Sequence, residues 1–112
     1  MKLKQDKYRK ARGGHSRLLD VCCAKCSSHI FYYQKDGPGI VKRTYLDRIC
    51  NSEKFESLKN LTLGKIPQLI CSKRGEHIGT PIVYKKENRL AFRLFEGAVS
   101  KKIVNLASQK NL

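Results

Sequence analysis

The spacing of the cysteines constrains this chain more than any other feature of its sequence. Cys23 and Cys26 are spaced C-x-x-C, and Cys71 stands much later, in the stretch CSKRGEHIG. A C-x-x-C turn holds two thiolates around one side of a tetrahedral ion, and a second such turn closes the other side. Three residues after Cys71, however, stands Arg74 where a fourth cysteine is expected. The pattern predicts either a zinc site with an unusual fourth ligand or a site that has lost its metal.

The fourth ligand position is open to several groups. Arginine cannot fill it, because its guanidinium stays protonated and offers only donors. The imidazole of His77 is the favoured ligand since it lies near Cys71 in the sequence. The alternatives are Cys50, His29, Cys22 and a water molecule. We therefore predict Zn²⁺ bound by Cys23, Cys26, Cys71 and His77, against the hypothesis that the cysteines are small buried residues without metal.

The charge of the chain points to an anionic partner. Lys and Arg number 24 against 9 Asp and Glu, which gives a formal net charge of +15. Such an excess repels itself in a compact fold unless an anion neutralises it. Nucleic acid is the commonest polyanion, and no amphipathic segment resembles a binder of anionic membranes. No run approaches the roughly 18 apolar residues of a membrane-spanning helix. We expect nucleic acid and no membrane.

The cysteine count and the N-terminus indicate the compartment. Five cysteines, two of them adjacent, fit a secreted disulfide framework poorly. A secretory signal has an apolar segment after its charged N-terminus, and this chain has none there. In a reducing compartment, cysteines at this spacing are more often metal ligands. We expect the protein to be cytoplasmic.

The remaining pattern is that of a mainly β protein. The β-prone runs 29–34 and 40–46 flank the turn KDGPG, which predicts a β-hairpin directly after the C-x-x-C. Residues 51–60 could form one short helix capped by Asn51 or Ser52. Further strands are predicted over 65–71, on both sides of KKEN within 80–95, and over 98–104. In the second of the two strands within 80–95, Leu90, Phe92 and Leu94 alternate onto one face. The order of knuckle, hairpin and knuckle predicts a small zinc-ribbon-like antiparallel β domain with at most one short helix.

Charge and periodicity divide the chain into three parts. Residues 1–17 are predicted to be a basic flexible tail, because they lack apolar periodicity. Residues 18–106 form the β domain, and 107–112 a loose C-terminus. Nucleic acid is expected to contact cations in the tail and in the domain, where nearby tyrosines could stack on unpaired bases. These cations are Lys2, Lys4, Lys7, Arg9, Lys10, Arg12, Arg17, Lys42, Arg43, Arg89 and Arg93.

Longer stretches of the chain resemble a known class of protein. CCAKC, FYYQKDGPGIVKRTYLDRI, CSKRGEHIGTPIVYKKENRLAFRLFEGAV and KKIV are similar to small, largely uncharacterised bacterial zinc-ribbon proteins, over about residues 19–104. Such proteins carry a C-x-x-C in each half. The resemblance implies that Cys23, Cys26 and Cys71 occupy ligand positions and that Arg74 replaces the fourth cysteine. By looser analogy, short basic zinc-ribbon proteins occur in ribosomes and among nucleic-acid-binding factors.

The sequence therefore predicts a non-enzymatic RNA-binding module, with the ribosome as the expected assembly and its proteins as neighbours. A DNA-binding or transcription-associated zinc ribbon is the first alternative, although no recognition helix is evident in the pattern. A protein-interaction adaptor is the second. No phosphate-loop, nucleophile-elbow or metalloprotease motif is found, so an enzyme is not expected.

Overall fold

Two four-stranded antiparallel sheets share one apolar core in the computed structural model, which describes residues 3–50 and 52–105. The strand order is β4-β2-β1-β8 in the first sheet and β3-β7-β6-β5 in the second. The predicted mainly β, antiparallel fold is confirmed. The strands are β1 (Ser16–Cys23), β2 (His29–Asp36), β3 (Arg43–Tyr45), β4 (Ile49–Cys50), β5 (Leu69–Ile70), β6 (His77–Tyr84), β7 (Arg89–Leu94) and β8 (Val99–Ile103).

Two short α-helices, α1 (Lys7–Ala11) and α2 (Glu53–Glu56), accompany the sheets, so the prediction of at most one helix is wrong. Each begins at a residue whose side chain accepts backbone N–H groups, as a good N-cap does. Asp6 caps α1 and Ser52 caps α2. Within the described residues, no helix is long and apolar enough to cross a lipid bilayer.

The core is closed by an aromatic stack between the sheets. Phe55, delivered by α2, packs edge-on against Phe31 of the first sheet and Phe92 of the second, with ring centroids 5.2 and 6.1 Å apart. Edge-to-face contacts of this kind add to the stabilisation from burial. Phe92 is buried and Leu90 and Leu94 pack against the core, which confirms the alternation predicted for this strand.

The hairpin predicted from 29–34 and 40–46 is wrong. β2 lies between β1 and β4 in the first sheet, whereas β3 pairs with β7 in the second. Both edges of β2 are already occupied, so the turn KDGPG carries the chain from one sheet to the other. The two segments still touch, because the hydroxyl of Tyr33 accepts the backbone N–H of Tyr45 at 3.0 Å.

The flexible tail predicted for residues 1–17 is corrected for residues 3–17, which pack on both sheets. The backbone N–H of Lys4 donates to Gln34 Oε1 at 2.7 Å, and Arg12 donates to both carboxylate oxygens of Glu87. Residues 16 and 17 belong to β1, so the predicted domain boundary falls inside a strand. Two cations of this segment, Lys4 and Arg12, find partners that are distant in the sequence. Lys2 and the predicted C-terminus 107–112 lie outside the described residues.

Candidate metal centre and basic surface

The turn between β1 and β2 contains the C-x-x-C and has the hydrogen bonds of a metal-binding knuckle. The N–H of Cys23 donates to the Ser28 carbonyl at 2.9 Å, and the N–H of Ser27 donates back to the Cys23 carbonyl at 2.8 Å. Ser27 closes the turn with a φ of 61°, in the left-handed region. The backbone N–H groups of Lys25 and Cys26 face the Cys23 sulfur. These N–H groups favour the thiolate, but burial and the hydrogen bonds with Cys26 and Cys71 raise the pKa of Cys23 overall.

The turn between β5 and β6 repeats this geometry around Cys71. The N–H of Cys71 donates to the Glu76 carbonyl, and the N–H of Gly75 donates to the Cys71 carbonyl, both at 2.8 Å. Gly75 has a φ of 72°, matching Ser27 in the first turn. A hydrogen bond from Ser28, together with backbone N–H groups of the turn, lowers the pKa of Cys71 to about 6. The second knuckle is therefore intact although its second cysteine is missing.

The two hairpins that carry these turns have the same strand pairing next to their cysteines. Both have a register shift at the same distance before the first cysteine, and both share the sequence pattern C-x-K-x-x-x-H-I. This internal repeat was present in the sequence but was missed there. The matching pairs are Val21–Phe31 and Cys22–His29 in the first hairpin, and Leu69–Gly79 and Ile70–His77 in the second.

The three predicted cysteine ligands meet between the sheets. The sulfur atoms of Cys23, Cys26 and Cys71 lie within 4.8 Å of one another, and those of Cys26 and Cys71 are 3.5 Å apart. Cys23 and Cys71 are 1% and 2% exposed. Two of the thiols come from the first sheet and one from the second. The cluster could therefore hold a metal ion that joins both sheets.

A serine that the sequence did not single out completes the cluster. The hydroxyl oxygen of Ser28 lies 3.0 Å from the sulfur of Cys26 and 3.3 Å from that of Cys71. Serine is an unusual zinc ligand, so ligand chemistry alone did not point to it. Its only sequence signal is its position at the end of the first knuckle.

His77, the predicted fourth ligand, is not brought to the thiols. Its Nε2 makes a 2.8 Å hydrogen bond with Gln68 Oε1, and its ring packs edge-on against Phe95. Cys50 also lies apart from the three thiols, and its thiol donates a hydrogen bond to the Arg48 carbonyl. Arg74 is exposed. Proximity in the sequence misplaced His77 because the turn aims Cys71 into the core while the strand that follows leaves His77 exposed.

Two arginines predicted to contact nucleic acid are used inside the fold instead. Arg89 is 4% exposed, donates to Asp47 and Glu87, and lies between the rings of Tyr8 and Tyr45, 3.9 and 3.8 Å from their centroids. Arg12 forms the bidentate pair with Glu87 already described. Both predictions are corrected, because the carboxylates that neutralise these cations lie far away in the sequence.

The other predicted cations in the described residues remain at the surface. Arg9 is half-buried and donates to Ser16 Oγ at 2.9 Å, and Lys4 Nζ donates to the Asp47 carbonyl at 2.6 Å. Most of the rest have no carboxylate partner in the part of the chain that the structure describes. The exposed members of the predicted set are Lys4, Lys7, Lys10, Arg17, Lys42 and Arg93.

The outer face of the second sheet carries a row of cations without acids. Arg43 of β3 pairs directly with Arg93 of β7, and Arg93 with Thr80 of β6. The Arg43 guanidinium lies 4.1 Å from the ring centroid of Tyr84. Among the described residues, neither arginine forms an ion pair. We call Arg43, Arg93, Thr80 and Tyr84 the arginine face.

Comparison with protein-family models, with curated proteins and with solved structures returns no match. The similarity to zinc-ribbon proteins noted in the sequence therefore stays a prediction. The site is interpreted from its own geometry.

Proposed function

We propose that this protein is a non-enzymatic RNA-binding module whose two sheets are joined by one structural zinc ion. The observation that carries RNA binding is the direct cross-strand pairing of Arg43 with Arg93. Directly opposed side chains lie with their Cβ atoms about 5 Å apart, and like charges in that position are destabilising. A phosphate between the two guanidinium groups would convert this repulsion into two charge-assisted hydrogen bonds.

The distribution of the acids supports the same proposal. The carboxylates of Asp6, Asp36, Asp47 and Glu87 are engaged by the three arginines of the interior and the N-terminal segment. The formal net charge of +15 is therefore expressed mainly by exposed lysines and by the arginine face. Such a surface attracts a polyanion from solution and holds it in a salt-dependent way.

The shape of the arginine face favours unpaired RNA over the DNA duplex. The longer of the two α-helices in the described residues has only 5 residues, too few to read a major groove. A sheet surface with a half-buried aromatic–arginine stack beside the exposed Arg93 instead suits splayed bases, which stack on such groups while phosphates meet nearby cations. A ribosomal RNA is one such ligand, and ribosome association extends this proposal.

Zinc fits the donor set of the candidate centre. Zn–S bonds of about 2.3 Å place tetrahedral thiolates roughly 3.8 Å apart, close to the 3.5 Å between Cys26 and Cys71. Cys23, Cys26 and Cys71 would hold the ion, with the Ser28 hydroxyl or a water in the fourth position. When bound, the ion supplies cross-linking of the two hairpins and no chemistry on a substrate.

Arg74→Cys is expected to raise zinc affinity by at least tenfold. Arg74 occupies the position in the second knuckle that Cys26 occupies in the first, so a thiol there would complete a four-cysteine site. Competition with a chromophoric chelator measures the change. Lys73→Cys adds a thiol one residue away, outside the ligand position of the knuckle, and is expected to leave the affinity unchanged. Equal gains in both variants would contradict the proposed geometry.

Removing both arginines of the face is expected to weaken RNA binding at least tenfold. The Arg43→Ala/Arg93→Ala variant should also reduce the slope of log affinity against log salt by roughly 0.7 to 0.9, for the one phosphate that the two arginines share. Fluorescence anisotropy with a stem-loop RNA at several salt concentrations gives both values. The charge-matched control is Lys54→Ala/Lys65→Ala, which leaves the arginine face intact. An equal loss in the control would mean that net charge alone, and not this face, determines binding.

A further inference from the structure

The outer surface of the first sheet holds a second group of metal-ligating side chains that the proposed function does not use. The ligand atoms of Asp20, Cys22 and His29 lie within 4.8 Å of one another. We propose that these three residues bind a second divalent cation of the zinc and cobalt class. A carboxylate, an imidazole and a thiolate together suit such borderline metals better than Mg²⁺ or Ca²⁺.

Strand alternation explains why two cysteines stand side by side in this sequence. Successive residues of β1 point to opposite faces of the sheet. Cys23 points into the core, so Cys22 and Asp20 point outward. His29 is the cross-strand neighbour of Cys22 on β2. The paired cysteines thus serve two separate sites, one inside and one outside the first sheet.

The distances within this outer group are already close to those of a metal site. His29 Nδ1 is 2.6 Å from Asp20 Oδ1, and the same oxygen is 3.3 Å from the Cys22 sulfur. Ligands around a tetrahedral zinc lie roughly 3.3–3.8 Å apart, so binding requires only a small opening of the hydrogen-bonded pair. The side chains of His29 and Asp20 are 46% and 29% exposed, so an ion reaches the group from their side, whereas Cys22 is only 9% exposed.

The second hairpin provides an internal comparison. At the equivalent positions it has Gln68, Ile70 and His77, and His77 bonds to Gln68 much as His29 bonds to Asp20. In the second hairpin, a hydrogen bond between the histidine and an amide side chain is therefore sufficient at these positions. The amide of Gln68 fills the role that the Asp20 carboxylate fills in the first hairpin, so this hydrogen bond does not require a carboxylate, and it does not involve a thiol. Together with the imidazole, the carboxylate and the thiol supply three ligand atoms for a metal ion. At least one coordination position is left for water or a further ligand.

One cation opposes binding at this site. Lys102 of β8 pairs with Asp20 and is close enough to influence the charge of Cys22. Its exposed side chain can turn away into solvent, but its ammonium group still repels an incoming ion. We therefore expect Lys102→Ala to tighten metal binding at the outer site by roughly two- to fivefold, in line with one surface charge interaction.

The test uses Co²⁺ as the probe, because cobalt bound to a thiolate gives charge-transfer and d–d absorption bands. The full-length, reduced protein is first given one equivalent of Zn²⁺ and is then titrated with Co²⁺. Native mass spectrometry counts the ions in parallel. We expect two ions per chain in the wild type and a thiolate–cobalt band from the second. Cys22→Ser, Asp20→Asn and His29→Ala should each weaken the second ion at least tenfold, whereas the matched His77→Ala should not.

The two sites share no ligand, so their failures can be told apart. Loss of an ion in Cys71→Ser, with the second retained, supports both proposals. If the wild type binds one ion that is lost in Cys22→Ser but not in Cys71→Ser, the outer site stands and the structural zinc fails. If the wild type binds one ion that is lost only in Cys71→Ser, or a second ion indifferent to Cys22, Asp20 and His29, the outer site is overturned.

Discussion

Arg48→Ala is expected to lower the free energy of unfolding by about 3–5 kcal/mol, the cost of breaking a buried ion pair by removing one partner. Arg48 is 1% exposed, and its Nε donates to Asp36 Oδ2 at 2.8 Å while Nη2 donates to Asp6. The Asp36 side chain is itself 4% exposed. Without the guanidinium, that carboxylate keeps its hydrogen bonds from Ser16 and Gln34 but stays buried without its ion-pair partner. Urea denaturation, with the slope checked against the wild type, measures the loss.

Two comparison variants test whether the loss of stability comes from the buried ion pair. Arg93→Ala removes an exposed arginine with no ion-pair partner in the described residues, and should stay within about 0.5 kcal/mol of the wild type. Arg48→Met combined with Asp36→Leu removes both charges and should recover much of the loss, because apolar replacement of a buried pair is often neutral. A loss below about 1 kcal/mol in Arg48→Ala would show that the pair is not buried as described.

The ion pair between Arg48 and Asp6 makes the attachment of the N-terminal segment sensitive to acid. The hydrogen bond from Arg48 lowers the pKa of Asp6 from 3.8 to about 2. Because the folded-state pKa is the lower one, Asp6 contributes its stability above about pH 4 and loses it as the pH falls through 2. In Arg48→Ala the pKa of the Asp6 carboxyl should rise, as carboxyl-carbon NMR would show. Lys4, Lys7 and Lys10 are thus held on the domain at neutral pH.

The features that the sequence predicted correctly are those set by neighbouring residues. The C-x-x-C turn and the alternation of Leu90, Phe92 and Leu94 depend on spacings of two to three residues, and both are confirmed. The association of Cys71 with the first knuckle followed from the chemistry of a divided zinc site. No such local rule separates β2 from β3, because the turn KDGPG suits a hairpin and a crossing between sheets equally well.

The features that the sequence missed depend on contacts between distant residues. Arg12 meets Glu87 across 75 positions of the chain, and Arg48 meets Asp6 across 42. Composition showed only a basic N-terminus, so it predicted a tail where ion pairs hold a folded segment. The exception is the repeat C-x-K-x-x-x-H-I, which was visible. It would have placed His77 opposite its own strand partner, as His29 is, and away from the thiols.

Zinc is expected to stabilise the protein by about 4 kcal/mol when free zinc exceeds its dissociation constant a thousandfold. For a domain of this size, that corresponds to a rise in Tm of roughly 15 °C. Differential scanning calorimetry of the zinc-loaded and the chelator-treated protein measures it. Cys71→Ser should abolish the zinc-dependent part. Cys50→Ser, whose sulfur lies outside the cluster, should retain it. An equal Tm for the two samples, with no zinc retained by the protein after loading, would mean that the thiols are packed without metal.

The size of this effect follows from where the ion would lie. Cys23 and Cys26 belong to the hairpin of the first sheet and Cys71 to that of the second, so the ion would connect the sheets at the knuckles. The aromatic stack through Phe55 joins the same sheets independently. The metal-free chain is therefore expected to stay folded, with Ser28 bridging two thiols by hydrogen bonds. Chelation should then loosen the two knuckles first, and hydrogen exchange there should rise before it rises around Phe55.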